Sequence, residues 1–331
     1  MILFNLLKNF LIFLGIFVLV YLYFHTKPLI YLFTRFGIQN LKKKYNAKWA
    51  LITGGSHGIG LEIAKILAQQ GINLFLLSST QEKLDKACVD LKKVNPKIQV
   101  RVIQLDLTSS SENIEKVLEE VVGEQEIELM FSNAGAGIFG KFEEESFEAI
   151  EKFLHLNLQS HVKMTHWFLK RCSPQKEKEK EKEKEKGKGK EKGKQKRALV
   201  FTSSCLAYFA LPFASSLYHS SKAFLTIFGG SLYSRVKDKG VDILTVHPGI
   251  VNTGFAKVDG KSVHDLPKGQ EPDIVAKIIV NAVGKFSQIQ TSHMGVLMVT
   301  MRNLFSTNTI SQFGLKIYRK QQKKLLQKKD N

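Results

Sequence analysis

Short apolar runs alternate with segments of helical period through most of this chain. The run Trp49–Thr53 is apolar up to its threonine and predicts a buried strand, and residues 59–70 have the spacing of a helix that ends at Gly71. Further strands are predicted at residues 74–77, 100–105, 129–132, 199–202 and 243–246, with a helix at 80–93. Continuously apolar strands are typical of a parallel sheet covered by helices on both faces, so an α/β fold is expected.

The amino-terminal segment is apolar over a greater length than any of these strands. Between residues 2 and 24 only Asn5, Lys8 and Asn9 are strongly polar. At a rise of about 1.5 Å per residue, a helix of this length crosses a bilayer. Basic residues are concentrated after the segment rather than before it. The positive-inside rule therefore predicts a transmembrane anchor at 1–27, a basic linker at 28–46 and a globular domain on the cytosolic side.

The formal net charge of +19 is unevenly distributed along the chain. Residues 176–196 hold eleven lysines and six glutamates, and most of the remaining excess lies in residues 42–48 and from Lys316 to the end. The globular part is thus nearly neutral, and nucleic-acid binding, which needs a basic face on the fold itself, is not expected. The surrounding insertion, 173–197, is predicted to be a solvated loop, with partner binding as the alternative.

The carboxyl-terminal segment, 293–331, follows the expected globular domain of residues 47–292. Its run MGVLMVTM (294–301) predicts either a core strand or helix, or a lid that contacts lipid. The chain ends in KKDN, which resembles the dilysine retrieval signal of endoplasmic-reticulum membrane proteins, with a frayed basic tail as the alternative. Together with the expected anchor, this ending favours the endoplasmic-reticulum membrane as the location.

The cysteines give no sign of a stabilising framework. The chain has three of them, Cys88, Cys172 and Cys205, and they are far apart in sequence. Their spacing suggests neither a set of disulfides nor a group of metal ligands. A reducing, cytosol-facing environment and the absence of a metal site are therefore expected.

A glycine-rich motif, TGGSHGIG (53–60), stands between the first predicted strand and the first predicted helix. Gly54 permits a tight turn, Gly58 lets the backbone approach a pyrophosphate, and Gly60 allows the helix to pack closely on the strand. The free N–H groups at the start of a helix also attract phosphate. A purely structural turn does not need three glycines at this spacing, so a dinucleotide cofactor is expected.

The stretch SLYHSSKAF (216–224) places Tyr218 and Lys222 one helical turn apart, on one face. Alone, this pair is more typical of an exposed turn of helix than of a catalytic site. Beside a dinucleotide it has a use, because a phenol can protonate a ketone oxygen as hydride reaches the carbon. The ordinary pKa of a phenol is about 10. The neighbouring ammonium of Lys222, with the positive ring of an oxidised nicotinamide, is expected to lower the pKa of Tyr218.

Further motifs follow in a recognisable order: Asp106 after the third strand, NAG (133–135), Asn157, Ser204, and HPGIVNTGF (247–255). With the glycine-rich motif they resemble the short-chain dehydrogenases/reductases. The resemblance implies a single Rossmann-type, doubly wound parallel sheet. It also implies a catalytic set of Asn157, Ser204, Tyr218 and Lys222, with Ser203 as the alternative to Ser204.

The same resemblance assigns roles around these residues. Ser204 would donate a second hydrogen bond to the substrate oxygen, and Asn157 would hold a water that links Lys222 to solvent. The residues that it implies for cofactor binding are Thr53, Gly54, Ser56, His57, Gly58, Ile59, Gly60, Ser79, Asp106, Asn133, Ala134, Gly135, Tyr218, Lys222, Pro248, Gly249 and Thr253.

The residues after the second strand favour NADP(H) over NAD(H). An acid at this point holds the ribose hydroxyls of NAD, but LLSST (76–80) has no acid before Glu82. The arginine common in NADP-binding relatives is also missing, and Ser79 stands in its place. His57 occupies a position where such relatives often carry a basic residue. Ser79 and Glu82 are also interpreted as a capping box for the next helix.

Two further stretches, KWALITGGSHGIG and LFLLSSTQEKLDKA, resemble the endoplasmic-reticulum lipid ketoreductases. One branch contains the very-long-chain 3-oxoacyl-CoA reductases and hydroxysteroid dehydrogenases, and the other the 3-ketosphinganine reductases. The implied activity is NADPH-dependent reduction of a lipid ketone, with 3-oxoacyl-CoA of fatty-acid elongation as the first candidate. Oxidation of a hydroxysteroid or retinol, and an idle membrane-tethered scaffold, are the alternatives. Family members often pair through helices that would lie near 147–172 and 214–239 here, so a homodimer is implied.

Overall fold

The computed structural model describes residues 4–18, 37–137, 142–172, 196–209, 216–256, 269–306, 308–312, 314–316 and 319. Its centre is a parallel sheet of seven strands in the order β3-β2-β1-β4-β5-β6-β7. The strands are β1 (Trp49–Thr53), β2 (Asn73–Ser78), β3 (Val100–Gln104), β4 (Leu129–Ser132), β5 (Arg197–Thr202), β6 (Val241–His247) and β7 (Gln288–Gln290). The prediction of one parallel α/β sheet is confirmed.

Helices connect the strands and cover both faces of the sheet. These helices are α3 (Gly58–Gln69), α4 (Gln81–Val94), α5 (Ser111–Val122), α6 (Phe147–Leu154), α7 (Ser160–Arg171), α8 (Ser216–Val236), α9 (Pro272–Ala282) and α10 (His293–Leu304), while α1 (residues 4–18) and α2 (Leu41–Tyr45) precede the first strand. Of the interpretations of residues 294–301, the structure thus shows a helix and not a strand. A π-helical turn, His155–Gln159, joins α6 to α7.

The core consists of two apolar layers, one on each face of the sheet. Alternate residues of each strand enter opposite layers, as the pleat requires. In β1, Ala50 and Ile52 pack with helices α3 and α9, while Trp49 and Leu51 pack with α5, α7 and α8. Because the sheet is covered on both sides, its polar functional groups are confined to the ends of the strands.

The strand order reverses between β1 and β4, and this reversal fixes where a ligand can bind. From β1 the chain winds outward to β2 and β3, and then returns to place β4 on the other side of β1. The connections on the two sides diverge and leave a crevice at the carboxyl ends of the strands. The glycine-rich motif and the loop after β4 both lie at this crevice.

The predicted anchor lies only partly within the described residues. Helix α1 covers residues 4–18, and residues 1–3 and 19–36 lie outside the described ranges. Among the helices described, none is long and apolar enough to cross a membrane. Residues 173–195 of the predicted insertion and the KKDN ending also lie outside the described residues.

The segment before β1 is built into the domain. Leu41 and Tyr45 on α2 are fully buried, at 0% and 1% exposure. The Tyr45 hydroxyl donates to Asp242 Oδ2 at 2.7 Å, next to the start of β6. The backbone N–H of Gln39 donates to Asn281 Oδ1 at 2.7 Å, at the end of α9. The predicted basic linker is therefore, from residue 37 onward, part of the folded domain.

Replacing Tyr45 by phenylalanine is expected to lower the free energy of unfolding by about 1.5–2 kcal/mol, because a hydrogen bond to a carboxylate is lost. Burial and Asp242 raise the pKa of Tyr45, so its contribution is present below the unfolded pKa of about 10 and is lost as the pH rises above it. Urea unfolding at pH 7 measures the effect. Tyr233→Phe, at a half-buried site on α8, is the control and should change stability by less than about 0.5 kcal/mol.

Candidate active site

A cleft opens at the carboxyl ends of β1, β4, β5 and β6. Most of the residues predicted to form the site line it: Gly54, His57, Gly58, Ile59, Asn133, Ala134, Gly135, Ser204, Tyr218, Lys222, Pro248, Gly249 and Thr253. Sequence reasoning did not select Thr202, Val251 and Phe255, which line the cleft as well. Thr53, Ser56, Gly60, Ser79, Asp106 and Asn157 lie behind or beside these walls.

The glycine-rich motif forms a cradle that side chains would fill. Gly58 has a φ of 56°, a left-handed conformation that favours glycine, and a Cβ there would lie 3.1 Å from Thr253 Cγ2 across the cleft. A Cβ on Gly60 would lie 2.3 Å from the carbonyl oxygen of Gly54. Backbone without side chains at the start of a helix is what a pyrophosphate needs in order to approach the N–H groups. The residues present therefore fit a dinucleotide.

Thr53 holds the two walls of the crevice together. Its Oγ1 accepts from the backbone N–H of Asn133 at 2.9 Å and from that of Ala134 at 3.0 Å. Thr202 Oγ1 donates to Asn133 Oδ1 at 3.0 Å from the other side. Thr53 is 1% exposed and does not line the cleft, so it positions the NAG loop and is not itself a cleft wall.

Three of the residues expected to bind the cofactor, Ser56, His57 and Asp106, lie near the carboxyl ends of β2 and β3. Ser56 Oγ donates to Ser78 Oγ at 3.0 Å, which ties the glycine-rich loop to that strand. Burial, with the charge of Lys83, lowers the pKa of His57, which is therefore neutral at pH 7. The carboxylate of Asp106 accepts from the backbone N–H of Thr108 at 2.9 Å, beyond β3.

The predicted capping box at the start of α4 is wrong. The helix begins at Gln81 with Thr80 as its N-cap, and no side chain makes a capping hydrogen bond there. Ser79 is displaced by one residue from the capping position. Its hydroxyl is therefore not engaged in a helix cap, and the residue stays next to the end of β2, where the ribose of a dinucleotide lies in this type of fold.

Asn157 lies in the π-helical turn between α6 and α7 and is fully buried. Its Oδ1 accepts from the backbone N–H of Ala136 at 2.8 Å, and its Nδ2 donates to the Ala136 carbonyl oxygen at 2.7 Å. This pair of hydrogen bonds fixes the loop directly after the NAG motif. Turns of π-helix inside α-helices are frequent at functional sites.

Lys222 enters the cleft from α8 and is 3% exposed. Its Nζ donates to the carbonyl oxygen of Thr202 at 3.1 Å and lies 5.8 Å from the centroid of the Tyr218 ring. Burial lowers the pKa of Lys222 to about 8. As predicted, Tyr218 and Lys222 lie close together on one face of the helix.

The predicted pKa shift of Tyr218 is wrong for the protein chain by itself. Burial raises the pKa of Tyr218 to about 12, and a hydrogen bond with Ser204 acts in the opposite direction but is the smaller effect. Desolvation of the phenolate thus outweighs the hydrogen bond that favours it. A raised pKa keeps the phenol protonated at neutral pH, which is the form that donates a proton to a ketone oxygen.

The two candidate serines after β5 have different surroundings. Ser203 Oγ donates to the carbonyl oxygen of Lys222 at 2.8 Å and lies 3.0 Å from Thr226 Oγ1, so it joins the loop to α8. Ser204 Oγ accepts from the backbone N–H of Leu206 at 3.2 Å and also bonds with Tyr218. Ser204 is therefore the serine whose hydroxyl adjoins the phenol.

We expect Ser204→Ala to lower kcat by about 100-fold, because one donor to the developing oxyanion is lost. Ser203→Ala should instead lower the melting temperature and lower kcat by only about tenfold, because its buried hydroxyl joins the loop to α8 and does not contact the substrate oxygen. Steady-state kinetics and thermal unfolding of both variants separate these effects. A larger kcat loss for Ser203→Ala at unchanged stability would reverse the assignment.

The sequence profile of the short chain dehydrogenases matches residues 48–263. The chain belongs to the short-chain dehydrogenase family. This confirms the resemblance drawn from the motifs and places the chain among NAD(P)-dependent oxidoreductases. The match begins directly before β1. Residues 37–47, which pack against the domain, therefore precede the part that the family shares.

Individual relatives are named as reductases or dehydrogenases. The chain is 30% identical over 227 residues to the very-long-chain 3-oxoacyl-CoA reductase of Schizosaccharomyces pombe, covering 68% of this chain and 61% of that protein. The human enzyme of the same name is 26% identical, with 82% of this chain and 78% of that one covered. Human 17-beta-hydroxysteroid dehydrogenase type 3 is 29% identical, with 63% and 61% covered. The chain thus spans about three fifths of the first of these relatives.

Solved structures of the same fold are also similar. A short-chain dehydrogenase from Sphingobium yanoikuyae in complex with NADPH superposes with a TM-score of 0.60 at 24% identity, covering 73% of this chain and 86% of that one. A 7beta-hydroxysteroid dehydrogenase gives a TM-score of 0.67 at 17% identity, covering 83% and 99%. At these identities the likeness establishes the fold.

Proposed function

We propose that this chain is a membrane-anchored, NADPH-dependent ketoreductase whose substrate is a long-chain 3-oxoacyl-CoA. The observation that carries the proposal is the convergence of Ser204, Tyr218 and Lys222 at one end of a cleft whose other end is a glycine cradle. The 3-oxoacyl-CoA reductases among the relatives support the substrate class. A scaffold that only binds a nucleotide has no need of this arrangement.

The reaction follows from what each side chain offers. Bound NADPH supplies the hydride, and negative charge then develops on the substrate's carbonyl oxygen. Ser204 and Tyr218 are the hydroxyls placed to donate to that oxygen, and Tyr218 gives up its proton. Lys222, held by the Thr202 carbonyl, stabilises the phenolate that results. Asn157 fixes the loop opposite these groups through Ala136.

NADPH is the proposed cofactor because the end of β2 carries no acid to repel a 2′-phosphate. Ser79→Asp is expected to weaken NADPH binding by at least about 30-fold and to leave NADH binding within about threefold, since one carboxylate faces one phosphate dianion. Fluorescence titration with both nucleotides measures the change. Gln99→Glu, at an exposed position directly before β3 and so at the opposite edge of the sheet from the cleft, is the control for added charge. Equal effects of Ser79→Asp on both nucleotides would contradict the proposal.

The proposed location is the endoplasmic-reticulum membrane, with the catalytic domain facing the cytosol. The apolar residues 2–24 and the basic residues after them support an anchor of this orientation, and the KKDN ending supports retrieval. A homodimer is also proposed. Phe224 and Ile227 of α8 are 39% and 71% exposed, and apolar side chains of this size on a helix surface are typical of an interface.

The substrate is tested with purified, detergent-solubilised full-length protein and NADPH. A long-chain 3-oxoacyl-CoA, 3-ketosphinganine and a ketosteroid are offered separately, and absorbance at the NADPH band is followed. The proposal predicts that the 3-oxoacyl-CoA is reduced with the highest kcat/KM. Preferred reduction of 3-ketosphinganine or a ketosteroid would replace the substrate class, and no turnover in spite of NADPH binding would favour the scaffold.

A further inference from the structure

His247 is a buried residue of the HPGIVNTGF motif to which neither the family resemblance nor the mechanism assigns a role. It is the last residue of β6, directly before Pro248 and Gly249 of the cleft, and it is 0% exposed. Its Nδ1 lies 3.2 Å from the carbonyl oxygen of Ile289 on β7. Its Nε2 lies 3.0 Å from Thr226 Oγ1 and 3.1 Å from the Tyr208 hydroxyl.

These contacts fix the tautomer of the ring. A carbonyl oxygen only accepts, so Nδ1 must carry the proton and donate to Ile289. Burial lowers the pKa of His247 to about 4, so the ring is neutral at pH 7 and Nε2 is an acceptor. Nε2 therefore faces two hydroxyl groups, from Thr226 and Tyr208, either of which can donate to it.

The hydroxyl network leads from His247 to the catalytic residues. Thr226 Oγ1 lies 3.0 Å from Ser203 Oγ, and both hydroxyls reach the carbonyl oxygen of Lys222, at 2.9 Å and 2.8 Å. Ser203 directly precedes Ser204, and Lys222 projects its ammonium into the cleft. The backbone segments that carry both catalytic groups are thus bound to a single imidazole.

A second branch of the network leads to the carboxyl-terminal helix. The ring of Tyr208 lies 4.9 Å from the ring of His247, and the guanidinium of Arg302 on α10 lies 5.3 Å from the centroid of the Tyr208 ring. The Tyr208 hydroxyl also lies 3.3 Å from Gln288 Oε1, which is the alternative acceptor for its single proton, so Thr226 is the other hydroxyl that can donate to Nε2. His247 therefore joins β6, β7, α8 and the turn Cys205–Tyr208, which is packed on α10.

We infer that His247 is a positioning residue that sets the distance between Ser204 and Lys222 through the acceptor atom Nε2. The inference rests on the proposed function of the cleft, since it assigns catalytic importance to that distance. Loss of the acceptor leaves the Thr226 hydroxyl without its outer partner and lets the loop after β5 shift relative to α8. Misplacement of a catalytic group by about 1 Å costs up to about 100-fold in rate.

Two variants distinguish the role of Nε2 from that of Nδ1. In His247→Gln the side-chain amide reaches the position of Nε2 and can offer an oxygen there, whereas in His247→Asn it reaches only the position of Nδ1. We expect His247→Asn to lower kcat by about 10- to 100-fold with the NADPH dissociation constant unchanged within twofold. His247→Gln should keep kcat within about threefold of the wild type. A purely structural role would make both variants fall together in melting temperature and activity.

Thr226→Val tests the same path from the other side. It should lower kcat as His247→Asn does, and the double variant should be no slower than the slower single variant, because both break one path. The matched control is Thr165→Val on α7, a threonine 2% exposed whose hydroxyl has no hydrogen-bond partner among the described residues. Additive losses in the double variant, or an equal loss in Thr165→Val, would overturn the inference.

The tautomer of His247 gives a readout that needs no substrate. Nitrogen-15 NMR of the wild type should show a neutral His247 ring protonated at Nδ1, and Thr226→Val should shift the Nε2 resonance. A ring protonated at Nε2 would overturn the inference. If the NMR result holds and no ketone is reduced, the proposed function of the cleft fails and the positioning role fails with it. If a ketone is reduced and His247→Asn keeps full kcat, the positioning role alone fails.

Discussion

A Tyr218→Phe variant will reduce its ketone substrate about 1000-fold more slowly than the wild type and will bind NADPH with unchanged affinity. The change removes the only atom that the mechanism uses as proton donor, and general acid catalysis contributes about 100- to 10,000-fold. The ring itself stays in place, 5.9 Å from the ring of Phe255. Steady-state kinetics at pH 7 and fluorescence titration with NADPH measure the two quantities.

The control for this variant is Tyr233→Phe, on the same helix but away from the cleft, which should keep wild-type kcat. The wild type should also lose activity in alkali as Tyr218 and Lys222 deprotonate. Burial raises the pKa of Tyr218 to about 12 and lowers that of Lys222 to about 8, so the fall is expected to begin near the lower value. A Tyr218→Phe variant that retains more than about a tenth of kcat would assign the proton to another donor.

Gly60→Ala will weaken NADPH binding by about 30- to 100-fold. The added Cβ would lie 2.3 Å from the Gly54 carbonyl oxygen and 2.9 Å from Asn133 Nδ2, so the glycine-rich turn and the NAG loop must both move. Forcing a methyl group into packed backbone costs about 1–3 kcal/mol, and the displaced N–H groups are those that would hold the pyrophosphate. Calorimetric titration with NADPH measures the loss.

Gly230→Ala is the matched control, because it is also a glycine inside a helix. Among the described residues, a Cβ there would meet Gln288 Nε2 alone, at 3.4 Å, an ordinary contact with a flexible side chain. Alanine also has the higher helix propensity, by about 1 kcal/mol. Unchanged NADPH affinity in Gly60→Ala, at a melting temperature equal to that of Gly230→Ala, would show that the cradle does not hold the cofactor.

The fold was predictable because its main signals are local. The apolar run of β1, the glycine-rich turn after it and the helical period of α3 follow one another directly in sequence, and each indicates the same α/β unit. The strand β7 was not predicted, since Gln288–Gln290 is short and mostly polar. It forms because its backbone pairs with β6, a tertiary contact that no local pattern reveals.

The candidate site was predictable where a motif carried it, and not where burial or distant contacts decide. The cleft brings Tyr218, Lys222 and Ser204 together as their motifs indicate. The position of Phe255 in the cleft wall and the acceptor role of His247 depend on which distant segments of the chain meet in the fold. The pKa of Tyr218 is the clearest case, because burial in the folded protein raises it, and the spacing of Tyr218 and Lys222 in the sequence does not show that burial.

The most direct test of the proposed function follows the hydride itself. The full-length protein is given a long-chain 3-oxoacyl-CoA and NADPH that carries deuterium at both positions of nicotinamide C4, and the acyl product is analysed by mass spectrometry. The proposed mechanism predicts a 3-hydroxyacyl-CoA with one deuterium bound to carbon 3, and none of this product from Tyr218→Phe on the same time scale. A product without deuterium, or no 3-hydroxyacyl-CoA although NADPH binds, would contradict it.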